Sequence, residues 1–151
     1  MHISWIYLNK RDATIQAIAS FTEMDYIFKN TDDEIKTVES RLAGISSPGM
    51  DGMPHAHNPG AVEEKVASDL DEIDLLKERY RQAEEYMSWF KPAWDQLSGD
   101  DQYVLETCFM GGKEHGAIQM VADYFGVEKT SAYKKRNRAL NRLRFLLYGA
   151  V

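Results

Sequence analysis

Seven cations crowd into sixteen positions near the end of this chain: Lys129, Lys134, Lys135, Arg136, Arg138, Arg142 and Arg144, with Thr130 and Ser131 among them. Residues of these types can hold a polyanion. Lys and Arg donate to guanine O6 and N7, and Ser or Thr hydroxyls are less selective. Contacts to phosphate fix position without reading sequence. The formal net charge is −6, which by itself argues against nucleic acid. The average hides a partition, however. Residues 1–111 carry a net −11 and residues 112–151 a net +5. The cations are thus concentrated on one segment, the footprint expected of a nucleic-acid-binding face.

Other chemistries find little support in the residues. His55 and His57 lie in one loop, with His2 and His115 far away in sequence. There is one cysteine, Cys108, and neither a Cys-x-x-Cys nor a His-Glu-x-x-His, so no metal site is expected. A lone cysteine allows no internal disulfide, in keeping with a reducing compartment. Asp69, Asp71, Glu72 and Asp74 read as a solvated helix face and not as a catalytic carboxylate pair. Gly111-Gly112 lacks the Lys-Ser/Thr of a phosphate-binding loop. No catalytic residue and no cofactor is expected. The N-terminus, MHISWIYLNKRD, has no basic stretch leading into a long apolar one, so no secretory signal is read there. No apolar run approaches the roughly 18 residues needed to cross a bilayer. A cytoplasmic chain without membrane association is expected.

The cations must be positioned by the segment Ala117–Leu147, which reads as two helices about a tight turn. Ile118, Val121, Ala122 and Phe125 form the inner stripe of the first. Gly126-Val127 makes the turn, since Gly permits a left-handed backbone. Ala132, Tyr133, Arg136, Leu140, Leu143 and Leu147 follow the second at helical spacing. A small residue, a Gly four later, an apolar residue and then a basic helix is the pattern of a helix-turn-helix. On it, Lys129, Thr130, Ser131, Lys134 and Arg138 would face the major groove. Lys135, Arg142 and Lys113 are placed for phosphates. Arg136, on the inner stripe, is the cation expected to pair with an acid.

The first half repeats every seven residues. Phe21, Phe28, Ile35 and Leu42 stand seven apart, and Met24, Thr31, Val38 and Ile45 follow each by three. This is an a/d seam on one helix from about residue 13 to 44. At about 1.5 Å per residue it would extend about 48 Å. Residues 46–60, with three Pro and three Gly, have no period and read as a loop. A second helix is expected over about 61–90. Val66, Ile73, Tyr80 and Met87 form one line, and Val62, Asp69, Leu76, Ala83 and Phe90 the other. Leu70, Leu75 and Tyr86 widen this stripe. Two helices of equal length predict an antiparallel hairpin. Pro92 is expected to break or kink the second helix. Trp89, Phe90, Trp94 and Leu97 form an aromatic knot at the joint with the C-terminal module. Ser98 and Asp101 have capping-box spacing. A helix then runs to about Met110, burying Val104, Leu105, Cys108 and Phe109.

Residues 97–147 resemble the C-terminal DNA-binding domain, region 4, of sigma-70-type factors. The resemblance rests on Leu97, Asp100-Asp101, Val104-Leu105, Phe109 and Gly112, then Val121-Ala122, Phe125-Gly126-Val127 and Arg138-Ala139-Leu140-Asn141-Arg142-Leu143. With the long helix, the Met53-Pro54-His55 loop and Lys65-Val66 on the next helix, the chain also resembles ArpU/RinA-like phage transcriptional regulators. That resemblance implies DNA binding in the bacterial cytoplasm, at the nucleoid when bound, without catalysis or cofactor. Three features depart from the pattern. The segment from Phe109 to Val121 is longer by about three residues, so a bulge is expected at Lys113-Glu114-His115. Ala132 replaces a larger apolar residue. Glu128 replaces the usual Ser or Thr cap, leaving Thr130 or Ser131 to cap a later-starting helix.

The expected architecture is all-α: a coiled-coil-like hairpin over 1–91 for interaction or oligomerisation, then a helix-turn-helix module over 92–151. The expected function is a sequence-specific transcriptional regulator of prophage origin. Its expected partners are double-stranded DNA, RNA polymerase and a second copy through the hairpin. Two alternatives stay open: a DNA-packaging protein of the small-terminase kind, and an adaptor whose helix-turn-helix binds only protein.

Overall fold

The computed structural model describes residues 8–46, 59–110 and 115–149. Their elements are α1 (Lys10–Ser46), α2 (Pro59–Asp95), α3 (Gly99–Phe109), α4 (Ala117–Phe125) and α5 (Lys129–Tyr148). No strand occurs among the described residues, so the fold is all-α as the sequence predicts. The loop histidines, the Met53-Pro54-His55 motif, Lys113 and most of the expected bulge lie outside the described residues.

The chain divides into two compact units, Met1–Asp25 with Glu85–Val151, and Tyr26–Glu84. The expected border at 91/92 instead falls inside α2. The reason is packing. Ile18 of α1 and Phe90 and Trp94 of α2 share one buried cluster with Leu105, Leu140, Leu143 and Leu147. The base of the hairpin is therefore part of the C-terminal core. The aromatic knot is present there. Phe90 lies between Tyr86 and Trp94, with ring centroids 5.2 and 5.6 Å away, and Trp89 meets Tyr148 edge-on at 5.6 Å. Tyr86 also donates its hydroxyl to the Ala17 carbonyl across the helix pair.

Pro92 does not end α2, which continues to Asp95. A proline inside a helix costs about 3 kcal/mol. Keeping the helix buries Phe90, Ala93 and Trp94, and each large side chain buried is worth roughly 1.5–3 kcal/mol. The turn that follows is closed by Leu97 N–H donating to the Trp94 carbonyl at 3.1 Å. Gln102 adds its side-chain amide to that same carbonyl at 2.9 Å.

In the second unit, α1 and α2 pack as a hairpin through Val38, Ile73 and Leu76, flanked by Ile35 and Leu42. The two polar seam positions are both buried. Thr31 satisfies its hydroxyl by donating to the Ile27 carbonyl at 2.6 Å, so an i−4 bond makes the residue tolerable inside the seam. Asp69 is buried with Arg41 Nη2 at 3.8 Å from Oδ1, and Arg41 also reaches Glu72 at 2.7 Å. The seam is narrower than predicted. Ile27 is buried, while Phe28 lies at the edge, 38 % exposed, stacked on Tyr80. Leu70 and Leu75, expected to widen the stripe, are 51 % and 60 % exposed. They project one helical step to either side of the positions that touch α1. This unit holds the whole net charge of −6, leaving the other formally neutral.

Candidate nucleic-acid interface

Three helices support the cations. Ser98 caps α3, its hydroxyl accepting the Asp101 N–H at 3.2 Å. The reciprocal half of a capping box is replaced, because the Asp101 carboxylate accepts from Arg142 of α5 instead. Val104 of α3, Val121 and Ala122 of α4 and Ala132 of α5 form a second buried cluster, with Ile118, Phe125 and Val127 against it. Ala132 is 0 % exposed. Its methyl lets α5 approach α4 closely where a larger side chain would hold the helices apart.

The turn between α4 and α5 follows from Gly126. Its φ of 61° and ψ of 41° are left-handed, and nothing lies within 4 Å of where a Cβ would stand. The reason for glycine here is thus backbone strain and not lack of space. Gly126 N–H donates to the Asp123 carbonyl and Val127 N–H to the Ala122 carbonyl. This pair of bonds is a Schellman motif, with Val127 making the apolar contact that goes with it. Only one residue, Glu128, then separates the turn from α5. Glu128 occupies the N-cap position in an extended conformation without a side-chain cap bond. The helix starts at Lys129, so Thr130 and Ser131 lie within its first turn and do not cap it.

On α5, Ala132, Leu140, Leu143 and Leu147 are buried as the stripe predicts, and Ala139 is buried beside them. At about 100° per residue, Thr130, Lys134, Asn137 and Asn141 fall on the opposite line, and all four are exposed. Lys129, Ser131 and Arg138 are exposed beside them. Lys135 is half-buried, its Nζ 4.5 Å from the centre of the Phe125 ring. Arg142 is engaged by Asp101, and a shallow cleft places Arg138 and Lys135 among Asp100, Asp101 and Arg142. The cations on this flank therefore sit against acids, which weakens the phosphate role expected of Arg142.

Two residues of the inner stripe behave otherwise than expected. Tyr133 is 46 % exposed, because one step past the buried Ala132 turns it out of the core. Arg136 is half-buried, with its guanidinium 5.0 Å from the Tyr133 ring centre and Nη2 3.4 Å from Asn137 Oδ1. No acid lies within salt-bridge distance of Arg136 among the described residues, and its buried Nε has no hydrogen-bond partner. The expected pairing with an acid is not made. Asn137 was missed in the sequence. The signal that finds it is its place three residues after Lys134 on the outward line.

Nearby, burial pushes the Cys108 thiol above its ordinary value, and the charge on Arg136 partly opposes this. Among the described residues no group of three His, Cys, Asp or Glu side chains converges as a metal site. No described helix is long and apolar enough to cross a membrane. No family model, curated protein or solved structure matches the chain.

Proposed function

We propose that this chain is a sequence-specific double-stranded-DNA-binding protein. Helices α4 and α5 act as a helix-turn-helix whose second helix enters the major groove. The observation that carries the reading is the two-sidedness of α5. Its apolar stripe is sealed into the module while Thr130, Ser131, Lys134 and Arg138 stand exposed on the other side, and Lys129 is exposed in the first turn. The tight turn at Gly126 supports it by fixing the angle at which that face is presented. The resemblance to region 4 of sigma factors and to ArpU/RinA-like proteins extends the proposal to transcriptional regulation at phage promoters with RNA polymerase. The acidic hairpin repels DNA and suits protein contacts, including self-association through the exposed Val62, Leu70 and Leu75.

The test is selection of bound fragments from a random DNA pool, followed by affinity measured across salt. A defined motif and a steep loss of affinity with salt are expected. Equal recovery of all sequences, or binding indifferent to salt, would sink the reading. A phage packaging subunit shares the DNA-binding arm, and a closed ring of many subunits by light scattering would favour it. An adaptor role draws on a groove of about 510 Å³ lined by Leu97, Phe145 and Leu146. A flat DNA titration at low salt would favour that role.

A further inference from the structure

Arg136 is a half-buried cation that no acid among the described residues balances. A half-buried charge is costly unless an opposite charge or full hydrogen bonding compensates it. Arg142 has Asp101 and Arg41 has Glu72. Among the described residues Arg136 has the face of Tyr133 and the Asn137 carbonyl oxygen, and its Nε is buried without a partner. Stacking on an aromatic ring restricts the guanidinium plane without using up its donors. The result is a pre-oriented guanidinium whose Nε is sealed from solvent, so an incoming acceptor would meet its outer edge, where Nη2 holds only the long bond to Asn137.

Its surroundings indicate which acceptor would complete it. Tyr133 also lines a groove of about 160 Å³ with Lys129, Gln119, Ile118 and Gly116. A second cation therefore borders the same flank of α5. The N-terminus of α4 opens there as well, with Gly116 providing no side-chain cap. The opposite flank is the one already balanced by Asp100 and Asp101. We infer that Arg136, held by Tyr133 and Asn137, is a fixed site for one phosphodiester group of bound DNA, on the strand running along the Lys129–Tyr133 flank of α5. The inference rests on the DNA-binding reading and adds to it a backbone contact that sequence periodicity assigned to the core.

The experiment uses the full chain, a DNA fragment selected by the wild-type protein, and the variants Arg136→Met and Arg136→Lys. Methionine keeps the packing on Tyr133 and removes the charge. Arg136→Met is expected to bind the selected DNA roughly tenfold more weakly at moderate salt. The slope of log affinity against log salt is expected to fall by about 0.9, the value for one phosphate. The loss should be equal on selected and unrelated sequences, and melting should be no lower than wild type, since an uncompensated charge is gone. Arg136→Lys should keep the slope, and it serves alone if the methionine variant does not fold: a slope lowered in Arg136→Lys overturns the site. Unchanged affinity and slope in Arg136→Met overturn the phosphate site and leave the DNA reading standing. So does a loss confined to one base position. Failure of the wild-type protein to bind any DNA removes both. Inorganic phosphate is the control for the other source of this chemistry. A phosphate-dependent rise in melting, present in wild type and absent in Arg136→Met without any difference in DNA affinity, assigns the site to a free anion and overturns the DNA contact.

Discussion

Lys134 stands on the outward line of α5 and Lys129 is exposed in its first turn, and among the described residues no ion pair holds either to an acid. Replacing either with Ala should weaken specific binding by roughly 1–3 kcal/mol if it reads a base edge in a bidentate contact. Competition between selected and mutated DNA fragments measures this. Tyr86 carries a different consequence. Burial raises its phenol well above the ordinary 10, so the folded state favours the neutral form. The stability this represents is complete below about pH 10 and is lost as pH climbs toward the raised folded value. Tyr148 and Cys108 are raised for the same reason and act with the same sign. Urea unfolding of the wild type between about pH 9 and pH 11 should show a steady decline. Tyr86→Phe should flatten it, at a cost near neutrality of about 1 kcal/mol for the bond to Ala17. At this scale the sequence was a partial guide. Rotation by a fixed angle places Lys134 and Thr130 outward correctly. It fails at Tyr133, one step from Ala132, where a single helical increment separates core from solvent. It also misses Asp101 with Arg142, which are 41 residues apart and joined only by the packing of α3 on α5.

The elements were more legible, since their signals are repeated. The seven-residue spacing, the glycine of the turn and the serine cap each identify a helix or its end, and five helices result among the described residues. The errors arise where burial outweighs local preference. Pro92 is carried inside α2 by the aromatic side chains around it. Thr31 and Asp69, read as exceptions to the seam, are buried within it. Gly126→Ala should lower stability by roughly 1–2 kcal/mol, the cost of a left-handed backbone for a residue with a Cβ, and melting curves will show it. Ala132→Leu should cost roughly 1–3 kcal/mol through overpacking between α4 and α5. On the DNA-binding proposal, affinity should fall further than stability alone requires, because α5 is displaced. In the hairpin, Arg41→Ala leaves Asp69 buried beside no cation and should destabilise. Asp69→Leu should be neutral or stabilising, by up to roughly 1–4 kcal/mol, as when a buried ion pair is replaced by apolar packing. A melt of the two variants side by side decides this.

For the whole molecule, the division into units predicts unequal stability. The unit containing α3, α4 and α5 has two apolar clusters, whereas Tyr26–Glu84 has one, of Val38, Ile73 and Leu76, with Ile27 and Ala83 buried apart from it. Amide hydrogen exchange should be faster along residues 26–45 and 60–84 than along α5, with different apparent opening energies. If exchange were uniform along α1 from end to end, the units would be one cooperative body. The concentration of the net −6 in that weaker unit also bears on time and not only on energy. On the DNA-binding proposal, the anionic unit opposes the approach of a polyanion. Long-range repulsion of this kind lowers the encounter rate and fades as salt screens it. Neutralising Asp71, Asp74 and Glu78 together should therefore raise the association rate at low salt while leaving the dissociation rate unchanged. Stopped-flow mixing would separate the two. On the DNA-binding proposal the acidic hairpin is then a salt-sensitive brake on association that leaves the lifetime of the complex untouched.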